Sequence, residues 1–154
     1  MELRFYYPSF VTRVPTHVSL AMSVPENIFD VMLRFKHVGS TMHIVPSTPR
    51  TYIFDVADTV QYRTDDIPCQ TVPVDVDGLN ILFVLQWLVR QLGKPYDYMG
   101  RYTPIVVEGK FHPAKLVMCA LSQVLSIENP ETYSVGQVLE WVTRVHSSDD
   151  MDCT

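Results

Sequence analysis

Residues 92–100, with the sequence LGKPYDYMG, constrain the fold more than any other part of the chain, because they end one helix and redirect the backbone. Asp77 can cap a helix that begins near Gly78, and the residues after it recur at the three-and-four spacing of helix faces. Gly93 suits the left-handed position that follows a helix, and Pro95 cannot continue one. By physics alone, the rest of this segment is an aromatic corner after a helix stop.

Short apolar segments elsewhere predict a sheet, and longer amphipathic segments predict further helices. The predicted strands are residues 3–5, a strand headed by His17, and residues 42–45, 52–56, 60–63 and 103–108. The predicted helices are residues 26–36, a helix that ends near residue 126, and a last helix from Ser134, whose hydroxyl makes a capping box with Gln137. These elements predict a single α+β domain over residues 1–146. An acidic tail, residues 147–154, follows it and is expected to be mobile.

Length and charge narrow the class of protein. The chain has 154 residues, enough for one domain with its own core. Its formal net charge is −5, and no Lys/Arg cluster marks a predicted face, so nucleic acid is a poor partner. The first residues lack a signal-peptide pattern, and no apolar run approaches the roughly 20 residues of a membrane helix. We therefore expect no membrane span.

The cysteines and histidines are scattered along the chain. Cys69, Cys119 and Cys153 are odd in number and widely spaced, which indicates reduced thiols and synthesis in the cytoplasm. Neither residue type shows the paired spacing of a metal site, and no glycine-rich phosphate loop is present. We expect neither a metal nor another cofactor.

Three segments occur in an order that is typical of one known family. THVSLAM, from Thr16, predicts a strand headed by a histidine, and YIFDV, from Tyr52, predicts an apolar strand that carries Asp55. The segment LGKPYDY and an apolar helix follow. This order resembles the circularly permuted, NlpC-like members of the papain-like cysteine amidase and peptidase superfamily, which include many bacterial and phage proteins. The resemblance spans roughly residues 11–142. It implies an antiparallel sheet packed with helices, in which the histidine strand precedes the cysteine helix.

The same resemblance implies a catalytic site. A cysteine attacks an amide or ester carbonyl as the thiolate, so a neighbouring imidazole, itself oriented by a third polar group, must lower the thiol pKa. On the resemblance, His17 is the base, Asp55 orients it and Cys119 is the nucleophile. Tyr96 and Tyr98 would shape a site for peptide-like substrates such as cell-wall peptides.

The sequence leaves two choices open, namely which histidine is the base and where the cysteine helix begins. His43 lies before Asp55 across a predicted turn and is a second candidate for the base, although the match around His17 is closer. Members of the family carry the cysteine at the start of the helix, whereas Pro113 suits a first helical position and would put Cys119 in the second turn. In the other alternative, the helix begins at Cys119 itself.

Two functions are therefore expected as alternatives. The first is a thiol hydrolase that acts on amide or ester bonds, which the retention of His17 and Asp55 favours. The second is a catalytically degenerate papain-like protein that serves as a structural or adaptor component, for example in a phage particle, which an early helix start favours. The partner is a peptide-like substrate in the first case and a protein of the assembly in the second.

Overall fold

The computed structural model describes residues 1–7, 15–23, 41–48, 51–56, 69–98, 100 and 106–152. Its strands are β1 (Glu2–Tyr6), β2 (His17–Ser23), β3 (Met42–Thr48), β4 (Thr51–Val56) and β5 (Cys69–Pro73). Its helices are α1 (Gly78–Gln91), α2 (Pro113–Leu121) and α3 (Val135–Asp152), with a 3₁₀ turn at Pro130–Thr132. The predicted helix at residues 26–36 and the predicted strand at residues 60–63 lie outside the described residues.

The five strands form one sheet in the order β3-β4-β2-β1-β5. Every neighbouring pair is antiparallel, with Leu3 opposite Leu20 and Leu20 opposite Phe54. A five-stranded antiparallel sheet with three helices confirms the predicted α+β class.

The two faces of the sheet differ, because successive side chains of a strand point to opposite sides. One face carries large apolar side chains and forms a single buried cluster with residues of all three helices, including Phe5, Leu20, Phe54, Leu88, Leu116 and Val142. Full burial of each such side chain contributes roughly 1.5–3 kcal/mol. The helices therefore cover the apolar face, and the polar residues that alternate with it point to the other face.

Helix α1 and its end agree with the sequence prediction. The Asp77 carboxylate accepts a hydrogen bond from the backbone N–H of Asn80 at 3.1 Å, which caps the helix at its start. After Gln91 the chain turns through Gly93, whose φ of 84° is readily adopted only without a Cβ. The predicted helix stop is confirmed.

Helix α2 begins at Pro113, which decides between the two predicted starts. The imidazole of His112 accepts a hydrogen bond from the backbone N–H of Lys115 at 3.4 Å, and the carbonyl of His112 accepts from Leu116 at 3.0 Å. A start at Cys119 is therefore wrong. The predicted end near residue 126 is also wrong, because α2 ends at Leu121 and a series of turns follows.

Helix α3 begins with the predicted capping box. The backbone N–H of Ser134 donates to the Gln137 side chain at 2.9 Å, and the backbone N–H of Gln137 donates to the Ser134 hydroxyl at 3.2 Å. The helix runs to Asp152, so the acidic segment from residue 147 has a helical backbone to that point. The mobility of residues 147–154 stays a prediction.

The strands show two departures from the sequence prediction. Strand β5 was not expected, because its CQTVP sequence has no apolar alternation. In the structure most of its residues are exposed. Its backbone pairs with β1 at the edge of the sheet, and this pairing decides its conformation. In the predicted strand at residues 103–108, Val106 and Val107 are irregular, while residues 103–105 lie outside the described part of the chain. None of the described helices is long and apolar enough to cross a lipid bilayer.

Candidate functional site

The polar face of the sheet brings together two of the three residues that the resemblance assigns to catalysis. His17 is the first residue of β2, and Asp55 lies in the neighbouring strand β4. The Nε2 atom of His17 lies 2.8 Å from Oδ1 of Asp55. Only 3% of His17 and none of Asp55 is exposed. The strand register thus joins residues that are 38 positions apart in the sequence.

The surroundings of Asp55 fix the roles of the two nitrogens of His17. Oδ1 of Asp55 also accepts a hydrogen bond from the backbone N–H of Val56 at 2.8 Å. An ionised carboxylate only accepts hydrogen bonds, so Nε2 of His17 is the donor. In the neutral ring Nδ1 is then the basic nitrogen. A carboxylate that holds an imidazole in one tautomer is the arrangement that a general base requires.

Tyr6 and Ser19 extend this polar group across the sheet. The ring of Tyr6 lies 5.5 Å from the ring of His17, tilted by 54°, and the Ser19 hydroxyl donates to the Tyr6 hydroxyl at 3.3 Å. Burial raises the pKa of Tyr6, which the hydrogen bond from Ser19 opposes and the negative charge of Asp55 reinforces. Sequence reasoning missed Tyr6, whose position depends on the register of β1 with β2.

His43, the second candidate for the base, is also buried on this side of the sheet. It is the cross-strand partner of Asp55 in the β3–β4 pair. Its Nδ1 donates to the backbone carbonyl of Thr41 at 2.6 Å. Because His17 holds the 2.8 Å bond to Oδ1 of Asp55, His17 fits the predicted role of oriented base better than His43 does.

Cys119, the predicted nucleophile, lies in the second turn of α2, in the helical layer. Desolvation by burial raises its pKa to about 11. The Lys115 ammonium lowers this pKa and the Glu131 carboxylate raises it further, both by smaller amounts. Across the described residues, no hydrogen bond joins the Cys119 sulfur to an imidazole. The structure therefore joins His17 to Asp55 but shows no such bond from either to Cys119.

Lys115 does not act as a strong activator of that thiol, because its ammonium is engaged elsewhere. It is buried and donates to the backbone carbonyls of Val107 and Lys110, both at 2.7 Å. It also lies 5.1 Å from the centre of the Phe111 ring. These contacts tie the chain before α2 to the helix itself.

The start of α2 carries no thiol. A thiol at a helix N-terminus has a lowered pKa, because the backbone N–H groups there stabilise the thiolate. His112 and Pro113 occupy this position, and the His112 ring is used as the helix cap. The start of α2 could lower the pKa of a thiol, but Cys119 lies further along the helix.

Tyr96 and Tyr98 belong to the segment that connects α1 with α2. Tyr96 is buried and Tyr98 is half exposed, and their rings lie 4.7 Å apart in an edge-to-face contact. Backbone bonds hold this segment between the start of β3 and the start of α2: Met42 N–H to Lys94 O at 2.7 Å, Phe111 N–H to Pro95 O at 3.0 Å and Asp97 N–H to Phe111 O at 2.8 Å. A substrate-binding role for the two tyrosines stays a prediction.

Described residues line a cleft near α3 and another at one end of the sheet. One, of about 370 Å³, lies between the 3₁₀ turn and α3 and is lined by Tyr133, Trp141, Glu140 and Arg144 among others. The other, of about 440 Å³, lies at the end of the sheet beside Glu2, Arg4 and Thr51. Neither is lined by His17, Asp55 or Cys119. Within the described ranges, no group of three or more His, Cys, Asp or Glu side chains is arranged to hold a metal ion.

Comparison of the chain with protein-family models, with curated proteins and with solved structures gave no match. The resemblance to permuted papain-like proteins therefore depends on the order of the sequence segments.

Proposed function

We propose that this chain is a catalytically degenerate papain-like protein, which serves as a structural or adaptor component of an assembly such as a phage particle. The observation that carries this proposal is the position of Cys119, which lies in the second turn of α2 and, among the described residues, has no hydrogen bond to an imidazole. Its pKa of about 11 leaves the thiol protonated near neutral pH, and a protonated thiol is a weak nucleophile.

The start of helix α2 supports the same proposal. In the family that the chain resembles, the nucleophile stands at the helix start, where the N–H groups stabilise both the thiolate and a developing oxyanion. Here His112 and Pro113 take this place. Proline has no N–H to donate. Both the nucleophile and one potential oxyanion donor are thus replaced at the position where the family needs them.

A thiol hydrolase that acts on amide or ester bonds of peptide-like substrates is the second candidate, because one observation favours it. The buried His17–Asp55 pair has the geometry of an oriented base, and burying such a pair is costly unless its hydrogen bonds are well made. In a degenerate enzyme the pair would act only on the stability of the sheet, which can be measured separately.

Hydrolysis of p-nitrophenyl acetate and alkylation by iodoacetamide near pH 7 distinguish the two candidates. The expected result is that wild type and Cys119→Ala hydrolyse the ester at the same rate. Peptide mapping by mass spectrometry is then expected to show that exposed Cys69 is alkylated at least as fast as Cys119. Loss of ester hydrolysis in Cys119→Ala, together with preferential alkylation of Cys119, would establish the hydrolase and overturn the proposal.

A further inference from the structure

Helix α1 presents an apolar face to solvent in addition to the face that it buries. Its buried side is formed by Val84, Leu85 and Leu88. On the other side Leu79 is 68% exposed, Leu82 is 44% exposed and Phe83 is 52% exposed. Residues at this spacing are neighbours on a helix surface, so the three side chains form one continuous stripe. Single exposed leucines are common, but a contiguous apolar patch indicates an interaction surface.

Opposite charges stand at the two ends of helix α1. Asp75 and Asp77 precede the first turn of α1, and Arg90 lies in its last turn. Because 11 residues complete about three helical turns, Arg90 follows Leu79 along the same side of the helix. From Asp77 to Arg90 the helix is roughly 20 Å long at 1.5 Å per residue. One end of the helix is thus acidic and the other is basic.

We propose that α1 is a self-association surface, on which the stripe Leu79, Leu82 and Phe83 packs against the same stripe of a second copy in antiparallel orientation. A two-fold axis near the middle of the stripe places Leu82 of one copy against Phe83 of the other. The acidic end of each helix then lies beside Arg90 of its partner. A parallel arrangement would place like charges side by side, so the charge pattern selects the antiparallel one.

A second copy fits this surface better than a lipid membrane does. Helices that lie on membranes carry Lys and Arg on the polar side of the apolar stripe, where anionic lipids attract them. Here the stripe is preceded by Asp75 and Asp77, and the whole chain has a net charge of −5. A two-fold contact needs only that the surface be complementary to itself, which the opposite end charges provide. The inference goes beyond the proposed function, because it holds whether or not the chain is catalytic.

Sedimentation velocity over a series of concentrations tests the association. Wild type is expected to form dimers as the concentration rises, whereas the double variant Leu82→Glu, Phe83→Glu is expected to weaken the dimer at least about 100-fold, since central apolar contacts dominate such interfaces. Val145→Glu is the matched control, because Val145 is 45% exposed on a different helix and should leave the dimer intact. Circular dichroism verifies that each variant is folded.

The orientation is tested by exchanging the end charges. Asp75→Arg and Arg90→Asp are each expected to weaken the dimer roughly 3- to 10-fold, because each change sets two like-charge contacts into a two-fold interface. The double exchange should restore the wild-type dimer. Wild type that stays monomeric at the highest concentration, or a dimer that survives Leu82→Glu, Phe83→Glu, would overturn the proposal. Failure of the double exchange to restore the dimer would overturn its antiparallel form.

Discussion

The His17–Asp55 pair and Cys119 were expected to form one site, yet they lie in different environments. The pair lies on the polar face of the sheet, where antiparallel register fixes both side chains within a 2.8 Å hydrogen bond. Cys119 lies in the helical layer, where its direction is set by the first residue of α2 rather than by strand pairing. The sheet holds an imidazole against a carboxylate, whereas α2 places Cys119 away from the helix start and, among the described residues, without a hydrogen bond to an imidazole.

The ionisable groups of the two regions are also stabilised differently. The buried carboxylate of Asp55 accepts bonds from an imidazole and from a backbone N–H, so its charge is compensated where it is buried. The thiol of Cys119 is desolvated, and its raised pKa keeps it neutral. The environment of Asp55 thus favours a charged group, and that of Cys119 favours a neutral one.

The largest expected difference is in stability, between the variants Asp55→Ala and Cys119→Ala. Asp55→Ala leaves His17 without its carboxylate partner and should lower the free energy of unfolding by about 3–5 kcal/mol. Cys119→Ala removes one partly exposed sulfur and should cost about 1 kcal/mol or less. Urea unfolding of both variants measures the difference. Equal losses would show that Asp55 is not a structural centre of the sheet.

A second buried carboxylate, Asp97, shows whether the segment before α2 is held as firmly as the sheet. Oδ1 of Asp97 accepts the backbone N–H of Gly100 at 2.8 Å, and a Cβ on Gly100 would clash with Oδ2 of the same carboxylate. We expect Gly100→Ala to destabilise the protein by about 1–3 kcal/mol, because the carboxylate must move. Gly78→Ala is the control, since a Cβ there meets nothing within 4 Å and should be close to neutral. Both are compared by thermal unfolding.

At high pH, the pH dependence of the free energy of unfolding reports on Cys119 separately from the sheet. Burial raises its pKa from 9.0 to about 11, so the folded state holds this proton more tightly than the unfolded state does. Its contribution to stability is complete below pH 9 and is lost as the pH rises to 11, with a size of order 1 kcal/mol at a partly exposed site. The quantity to measure is the difference between wild type and Cys119→Ala, because Tyr6 and Cys69 also have raised pKa values and cancel in it. A difference that grows in favour of wild type above pH 9 would contradict this assignment.

The smallest expected effect concerns the start of α2. The His112 ring accepts the backbone N–H of Lys115 at a long 3.4 Å, whereas a carboxylate oxygen of Asp77 accepts the backbone N–H of Asn80 at 3.1 Å. The cap bond of His112 should therefore contribute roughly 0.5 kcal/mol and that of Asp77 about 1 kcal/mol. Chemical denaturation of His112→Ala and Asp77→Ala ranks the caps. A larger loss for His112→Ala would mean that this side chain has a role besides capping.

The sequence predicted the two strands that bring His17 and Asp55 together, for a physical reason. His17 and Asp55 each lie in a short apolar strand, and two strands that pair can bring such residues together at any sequence separation. The start of α2 was left open between two residues, because Pro113 and Cys119 are both compatible with an apolar run. Strand β5 was missed, because an exposed edge strand follows its neighbour's backbone rather than its own side-chain pattern.

The decisive measurement for whether Cys119 is an activated nucleophile is the pKa of its thiol. It can be measured from the pH dependence of iodoacetamide alkylation in the background Cys69→Ser, Cys153→Ser, where Cys119 is the remaining thiol. We expect the rate of alkylation to keep rising up to about pH 11, because the thiol is desolvated and has no hydrogen bond to an imidazole among the described residues. A rate that already levels off near or below about pH 7 would mean an activated thiolate and would contradict this expectation.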